Sequence, residues 1–213
     1  MQYNIYCFWT GKNKMSVQRE KCLKQLHEIS QCNVILVTPE IYNKCILKEH
    51  PLHPSFKYLS ETHKADYLRT YFMRFYGGGY SDIKKTTGSW VESFKKLINS
   101  DNWIIGYKEI DGGVCCPSLV KHREEILGNC AYICKANTPL VIEWYEEMIK
   151  LMDEKYNDLM KNPAKSPQDS REVNHLYPIE WNEMLGRIFH KIQYKYKNKS
   201  FNTLPISIFH SYR

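Results

Sequence analysis

The sequence predicts an α/β fold in a single domain, with a mostly parallel mixed sheet flanked by helices. Three observations support this prediction. Apolar runs of strand length alternate with segments of helical period, which is typical of α/β proteins. The run from Asn33 to Thr38 is continuously apolar, as in a strand of a parallel sheet that is buried on both faces. The chain has 213 residues, enough for the core of one domain.

The first half of the chain carries the clearest strand and helix patterns. Tyr3 to Trp9 is rich in aromatic and branched residues and predicts a strand. Ser16 is expected to cap a helix that runs to Ile29, and Ser60 starts a second amphipathic helix. That helix ends at three successive glycines, Gly77 to Gly79. A short strand from Tyr80 to Ile83 is predicted directly after the glycines.

The second half of the chain is predicted to continue the alternation. The pattern indicates helices over Ser89–Ile98, Pro139–Met160 and Glu180–Tyr196, and strands over Trp103–Tyr107, Ala131–Cys134 and Leu204–Phe209. The polar stretch from Lys161 to Asn174 contains two prolines. We interpret it as a mobile surface loop that acts either as a lid or as a plain connection.

The composition limits the classes of ligand that the chain is expected to bind. The formal net charge of +7 favours a polyanionic ligand, which leaves nucleic acid and a sugar-nucleotide diphosphate as the two competing classes. The 16 Tyr and 5 Trp suit stacking on bases or sugars, although most of them are expected in the core. Because the lysines form no stripe along one helix, we predict no nucleic-acid partner. A nucleic-acid-binding module is kept as the alternative.

Cysteine usage and hydropathy predict the compartment. The eight cysteines include no CxxC pair, so a zinc site is not expected, and the thiols indicate a reducing environment. No signal peptide or membrane span is apparent in the sequence. We therefore expect a cytoplasmic protein.

The segment from Thr62 to Lys85 carries most of the chemistry. Asp66 and Arg69 are three residues apart on a helix and share a face, either as a surface ion pair or as a polar pair facing a ligand. The three glycines either stop the helix or let a ligand approach the backbone. Asp82 follows a short strand, and ligands of α/β sheets bind beyond the carboxyl ends of strands. A carboxylate there can hold a divalent cation that bridges diphosphate oxygens.

The spacing of this segment resembles a known family. Ala65 to Arg69 followed by Gly77 to Lys84 is similar to the A/S-D-x-x-R and G-G-x-Y-x-D-x-D blocks of DXD-type sugar transferases. These include the capsular-polysaccharide and α-mannosyltransferase type and the catalytic core of the clostridial glucosylating toxins. A fainter resemblance is to glycosyltransferase domains with which chlorella viruses build capsid glycans. The resemblance implies a GT-A fold over residues 1–213, with a nucleotide-binding part of about 1–110 and an acceptor side of about 111–213, and a domain of a longer chain.

The resemblance also implies a binding site for a UDP-sugar. In it Trp9 stacks on the uracil ring, and the remaining donor-binding residues are Thr10, Asp66, Arg69, Tyr80 and Lys84. A Mn²⁺ or Mg²⁺ ion would be held by Asp82, with His210 as a second ligand unless that histidine is structural. The family has Asp where this chain has Lys84. Lys84 therefore either leaves the ion to Asp82, which we favour, or replaces it in part by binding the diphosphate itself.

The expected reaction is transfer of a hexose or deoxyhexose to a glycan or protein acceptor. The resembled families retain the configuration of the sugar, and we expect the same here, with Asp82 assisting departure of the diphosphate through the metal. An inverting enzyme would need a carboxylate base, for which Asp111 and Glu180 are the candidates, although each is better explained as a turn or helix-cap residue. The alternative function is a module that binds sugar nucleotides without transferring the sugar.

Overall fold

The computed structural model of the chain describes residues 3–212, which form one central sheet. Within these residues the sheet has six strands: Asn4–Phe8 (β1), Asn33–Val37 (β2), Gly78–Ser81 (β3), Ile104–Lys108 (β4), Leu127–Cys134 (β5) and Ser200–Phe201 (β6). Their spatial order is β2-β1-β3-β5-β4-β6. β1 pairs in parallel with β2 and β3, and β4 with β6, whereas β5 is antiparallel to both of its neighbours. The predicted α/β fold with a mostly parallel mixed sheet is confirmed.

Helices cover both faces of the sheet and create a core on each. They run Val17–Ser30 (α1), Pro39–Cys45 (α2), Glu61–Phe75 (α3), Val91–Ile98 (α4), Pro139–Lys161 (α5) and Ile188–Lys195 (α6). One core includes Leu68 of α3, Trp144 of α5 and Phe189 of α6. The other includes Leu26 of α1 and Phe94 of α4. Successive side chains of a strand point to opposite faces, so the sheet separates the two cores and the chain has three layers.

The glycine corner joins α3 to β3. Ser60 caps α3 by accepting a hydrogen bond from the His63 backbone N (3.4 Å), and the helix ends at Phe75. Gly77 has φ +63° and Gly78 has φ +92°, a region that favours glycine. A Cβ on Gly77 would lie 2.7 Å from the Ala136 backbone nitrogen. The glycines therefore turn the chain and let it pack against its own backbone, which corrects the interpretation that a ligand approaches them.

Two elements predicted near the carboxyl end of the chain differ in the structure. Residues 204–209 form no strand, and their contacts include the isolated bridge Thr86–Ser207. Pro205 lies inside this apolar stretch and has no N–H for a strand ladder. The helix predicted from Glu180 begins instead with a π-helical turn, Glu183–Arg187, and continues as α6. Residues 181–182 form a turn before it, in which the Trp181 N–H donates to the Glu172 carboxylate at 3.0 Å.

Residues 163–174, which the sequence predicted to be a mobile surface loop, form a connection held by hydrogen bonds around one carboxylate. Asp169 lies buried at their centre and accepts hydrogen bonds from the Lys165 backbone N (2.6 Å), Ser166 Oγ (2.5 Å) and Asn174 Nδ2 (3.1 Å). The Pro167 carbonyl accepts from the Thr62 backbone N (3.1 Å), which ties the connection to α3. One carboxylate therefore organises the segment.

All eight cysteines are free thiols. Along residues 3–212, none of the helices has both the length and the apolar character needed to span a bilayer.

Candidate functional site

A cavity of about 430 Å³ opens at one edge of the sheet. β1 and β3 are parallel, so their carboxyl ends meet at this edge, where ligands of α/β sheets bind. The walls come from the end of β1 and the segment after it, from α3, from the end of β3 and residues 82–84, and from β5. They are completed by Arg19, Pro167, Gln168, Trp181, Asn182, Leu185, Gly186 and Tyr212. None of Gly77, Gly78 and Gly79 is a lining residue.

Four charged side chains form what we call the pocket floor: Asp66, Arg69, Asp82 and Lys84. Arg69 Nη2 lies 2.6 Å from Asp66 Oδ1, and Arg69 Nη1 lies 3.8 Å from Asp82 Oδ1. Lys84 Nζ lies 2.6 Å from Asp82 Oδ2. Asp66, Arg69 and Lys84 are each buried, with 4%, 7% and 7% of their surface exposed. The charges alternate in sign, and because Asp66 and Arg69 are both buried and line the cavity, they are not a surface ion pair.

Asp82 is the most constrained carboxylate of the floor. The Tyr80 hydroxyl donates to its Oδ1 (2.5 Å) while Lys84 binds Oδ2. Burial alone would raise the pKa of Asp82, but the charges of Lys84 and Arg69 lower it below its ordinary value. Burial likewise would lower the pKa of Lys84, and the charge of Asp82 raises it. Both groups are therefore charged at neutral pH.

Arg69 joins the floor to the sheet. Its Nη1 donates to the Asn129 backbone carbonyl on β5 (3.0 Å), and its guanidinium carbon lies 4.3 Å from the centroid of the Tyr80 ring. Within residues 3–212 its buried Nε has no hydrogen-bond partner. The planar guanidinium thus fixes Asp66, Tyr80 and β5 relative to one another.

Four partly exposed side chains form what we call the pocket rim: Trp9, Arg19, Trp181 and Asn182. The Trp9 indole N–H donates to the Asn13 carbonyl (2.8 Å), and the Arg19 guanidinium carbon lies 6.0 Å from the centroid of the Trp9 ring. Arg19 makes no ion pair with any side chain of the described chain. Trp181 is 41% exposed. Sequence reasoning missed Arg19, Trp181 and Asn182, although the position of Arg19 in the first turn of a capped helix after β1 was an available signal.

The residues predicted to bind the donor lie together. All six line the cavity, namely Trp9, Thr10, Asp66, Arg69, Tyr80 and Lys84, and Asp82 lies among them. Thr10 donates its hydroxyl to the Glu61 backbone carbonyl (2.8 Å), which fixes the end of β1 against α3. Sequence segments about sixty residues apart are thus brought to one site by the parallel pairing of β1 and β3.

Three other predicted site residues do not line the cavity. The Asp111 side chain is 93% exposed and lies 3.1 Å from Arg123 Nε, in a turn closed by the Gly113 N–H to the Ile110 carbonyl. Glu180 is held by Arg187 and by Arg171 (3.9 Å). His210 is exposed. The turn interpretation of Asp111 fits its position, and Glu180 is committed to ion pairs.

The side chains around Asp82 do not fit the divalent cation that the sequence predicted. Within residues 3–212 no three His, Cys, Asp or Glu side chains are close enough together to share a metal ion. Mn²⁺ and Mg²⁺ require several oxygen ligands, whereas the oxygens of Asp82 already accept from Lys84 and Tyr80. The Lys84 ammonium occupies the place beside Asp82 that a cation would take. The prediction that Asp82 and His210 share a metal is therefore not supported by the arrangement.

Comparison with known proteins gives a likeness of fold. No family model matches the chain, and no curated protein matches it. The solved structure of the PaToxG glycosyltransferase aligns with a TM-score of 0.52 and 13% identity, over 91% of this chain and 69% of that one. The glycosyltransferase GlyE of Streptococcus pneumoniae TIGR4 aligns with a TM-score of 0.41 and 11% identity, over 94% of this chain and 44% of GlyE. The first of these alignments shows that the chain has the fold of a glycosyltransferase domain.

Proposed function

We propose that the chain is a glycosyltransferase that binds a nucleotide sugar in this cavity. One observation carries the proposal. Residues selected from the sequence for donor binding, on β1, on α3 and after β3, line a single cavity at the carboxyl ends of two parallel strands. The fold likeness to PaToxG, which its name describes as a glycosyltransferase, supports the same conclusion.

The donor is a UDP-sugar in this proposal. The partly exposed Trp9 ring stacks on the uracil, with Arg19 beside it. Asp66 uses Oδ1 for Arg69, and its Oδ2 accepts no hydrogen bond from the described chain. That oxygen is available to a ribose or sugar hydroxyl. Arg69 donates one N–H of each Nη group to protein acceptors, which positions Asp66 against β5, and its remaining Nη hydrogens are proposed to contact the donor.

The hexose or deoxyhexose and its glycan or protein acceptor occupy the part of the cavity walled by Trp181 and Asn182. The exposed Trp181 ring offers an apolar face for a sugar. The Asn182 side chain makes no hydrogen bond within the described chain and can both donate and accept. These two residues are thus proposed to orient the groups that react.

The reaction proceeds with retention of configuration. The bond between the anomeric carbon and the β-phosphate oxygen breaks with its electron pair moving to that oxygen, and the acceptor hydroxyl oxygen bonds to the anomeric carbon. The acceptor's proton passes to the departing diphosphate. This route requires no carboxylate base, in agreement with the positions of Asp111 and Glu180 outside the cavity.

Binding of UDP and UDP-sugars tests the proposal directly. We expect a thermal shift of the wild-type chain with at least one of them, because a ligand of the folded state stabilises it. Trp9→Ala should weaken UDP binding by roughly 1–3 kcal/mol, measured by calorimetry. Trp103→Ala is the matched control, since that half-buried tryptophan packs at a tilt against the Tyr196 ring and does not line the cavity.

Two outcomes decide the proposal. Absence of binding by the wild-type chain, with and without Mn²⁺, would reject it, and equal losses in Trp9→Ala and Trp103→Ala would remove Trp9 from the site. A transfer or hydrolysis assay with the UDP-sugar that binds then separates an enzyme from a module that only binds.

A further inference from the structure

Lys84 has unusual surroundings for a lysine. Residues 82–84 form a tight turn closed by the Lys84 N–H to the Asp82 carbonyl (2.6 Å), and this turn directs the side chain back to the Asp82 carboxylate. The ammonium also donates to Cys130 Sγ (3.3 Å). It lies 5.2 Å from the centroid of the Phe209 ring. A lysine normally extends its charge into water, whereas this one is 7% exposed and lines the cavity.

Lys84 retains donor capacity for a ligand. An ammonium group has three N–H donors, and those to Asp82 and Cys130 use two of them. Burial raises the pKa of Cys130 to about 12, so this contact is a neutral thiol that removes none of the lysine's charge. Within residues 3–212 the remaining N–H has no oxygen, nitrogen or sulfur acceptor, and the ammonium otherwise faces the rings of Phe209 and Tyr212, the latter 4.9 Å away at its centroid. The cavity therefore contains a preformed, partly unsatisfied cation.

The charge of the pocket floor depends on the residue at position 84. Asp66 and Asp82 are balanced by Arg69 and Lys84, so the floor is neutral as it stands. An aspartate at position 84 would leave it with a net charge of −2, which would repel a diphosphate until a divalent cation entered. The Asp82–Lys84 pair is thus neutral by itself, whereas two carboxylates at these positions would be neutral only with a divalent metal ion bound.

We propose that the Lys84 ammonium stands in for a divalent cation, so that the cavity binds the diphosphate of a nucleotide sugar without a metal. This inference rests on the proposed function and specifies how its leaving group is held. Lys84 donates to a diphosphate oxygen, and its charge stabilises the negative charge that builds up as the bond to the sugar breaks. Asp82, held by Tyr80 and Arg69, keeps the ammonium in place.

Calorimetry with UDP as the probe tests this, in buffer with EDTA and in buffer with Mn²⁺. The wild-type chain should bind with the same affinity in both, within about twofold. Lys84→Met, which keeps the stem and removes the charge, should lose about tenfold or more in affinity in both buffers, as expected for a charge-assisted hydrogen bond. Lys84→Asp should bind only when Mn²⁺ is present. Circular dichroism verifies that each variant is folded.

Lys85→Met is the matched control. Lys85 is the neighbouring lysine, it does not line the cavity, and its variant should bind UDP as the wild type does. An increase of about tenfold or more in wild-type affinity on adding Mn²⁺ overturns the inference without the use of any variant. So does a Lys84→Met variant that binds like Lys85→Met, or a Lys84→Asp variant that binds equally in both buffers. Failure of the wild type to bind any uridine nucleotide in either buffer is a different result, because it overturns the proposed function itself.

Discussion

The pocket floor and the pocket rim are built in opposite ways. In the floor, every charged side chain has a partner of opposite charge within 4 Å, and three of the four are almost fully buried. In the rim, Trp9, Arg19, Trp181 and Asn182 are partly or fully exposed, and few protein groups hold their side chains. The floor is therefore part of the folded core, whereas the rim is free to adjust to a ligand.

The difference has an energetic consequence. Removing one partner from a buried ion-pair network leaves another charge uncompensated in a medium that solvates it poorly. Removing an exposed aromatic side chain exposes no charge and leaves no cavity in the core. Substitutions in the floor should therefore lower stability and binding together, and substitutions in the rim should lower binding alone.

The largest effect is expected for Arg69→Met. The change removes the partner of Asp66, which stays buried, and one partner of the partly buried Asp82. We expect a loss of about 3–5 kcal/mol in the free energy of unfolding, measured by urea denaturation. Arg74→Met on the same helix is the control, because Arg74 is only half-buried and its loss should cost less than about 1 kcal/mol. Equal losses of unfolding free energy in the two variants would mean that the ion pairs of the pocket floor contribute no more to stability than a half-buried surface arginine does.

Residues 163–174 contribute to the cavity wall, yet a buried carboxylate holds them in place as buried charges hold the floor. Burial alone would raise the pKa of Asp169, but hydrogen bonds from Ser166 and Lys165 lower it from 3.8 to about 2. A carboxylate with a lowered pKa in the folded state stabilises that state above its ordinary pKa. Its contribution is lost as the pH falls towards the pKa of the folded state.

Asp169→Asn should therefore destabilise the chain by about 1–2 kcal/mol at pH 7. The difference in unfolding free energy between wild type and variant should decrease below about pH 4 and be mostly lost near pH 2, because protonation then removes the wild type's advantage. Urea denaturation of both proteins over a pH series measures this difference, and effects of the other carboxylates cancel in it. A difference that stays constant over the series would show that Asp169 acts through shape and not through charge.

The floor could be predicted from the sequence far better than the rim. Asp66 and Arg69 are fixed by helical spacing, and Asp82 follows the glycine stop and a short strand, so local patterns suffice to place them. Arg19 and Trp181 come to the cavity through packing between distant segments, for which no local period exists. The sequence also identified Lys84 as a departure from the pattern of the family it resembles, but the closeness of its ammonium to Asp82 appears only in three dimensions.

The structure does not bring three other predicted site residues to the cavity. Asp111 and Glu180 were chosen because a carboxylate base could serve the reaction, and His210 because the family that the chain resembles has a late histidine or acid near the chain end. No helix spacing or strand end tied them to the cavity, and the structure places all three outside its lining. The strand predicted at residues 204–209 had the right apolar pattern, but Pro205 interrupts the backbone pairing.

The smallest effect is expected for Trp181→Ala in the rim. Its ring is 41% exposed, so the free energy of unfolding should change by less than about 0.5 kcal/mol. If Trp181 contacts the transferred sugar, affinity for the UDP-sugar should fall by about 0.5–1.5 kcal/mol while affinity for UDP stays the same. Calorimetry gives the loss of binding free energy in the variant for each of the two ligands. The loss for the UDP-sugar minus the loss for UDP is the contribution of the sugar. Equal losses for UDP and the UDP-sugar would instead place Trp181 beside the nucleotide, and a large loss of stability would assign it to the structural part of the molecule together with the floor.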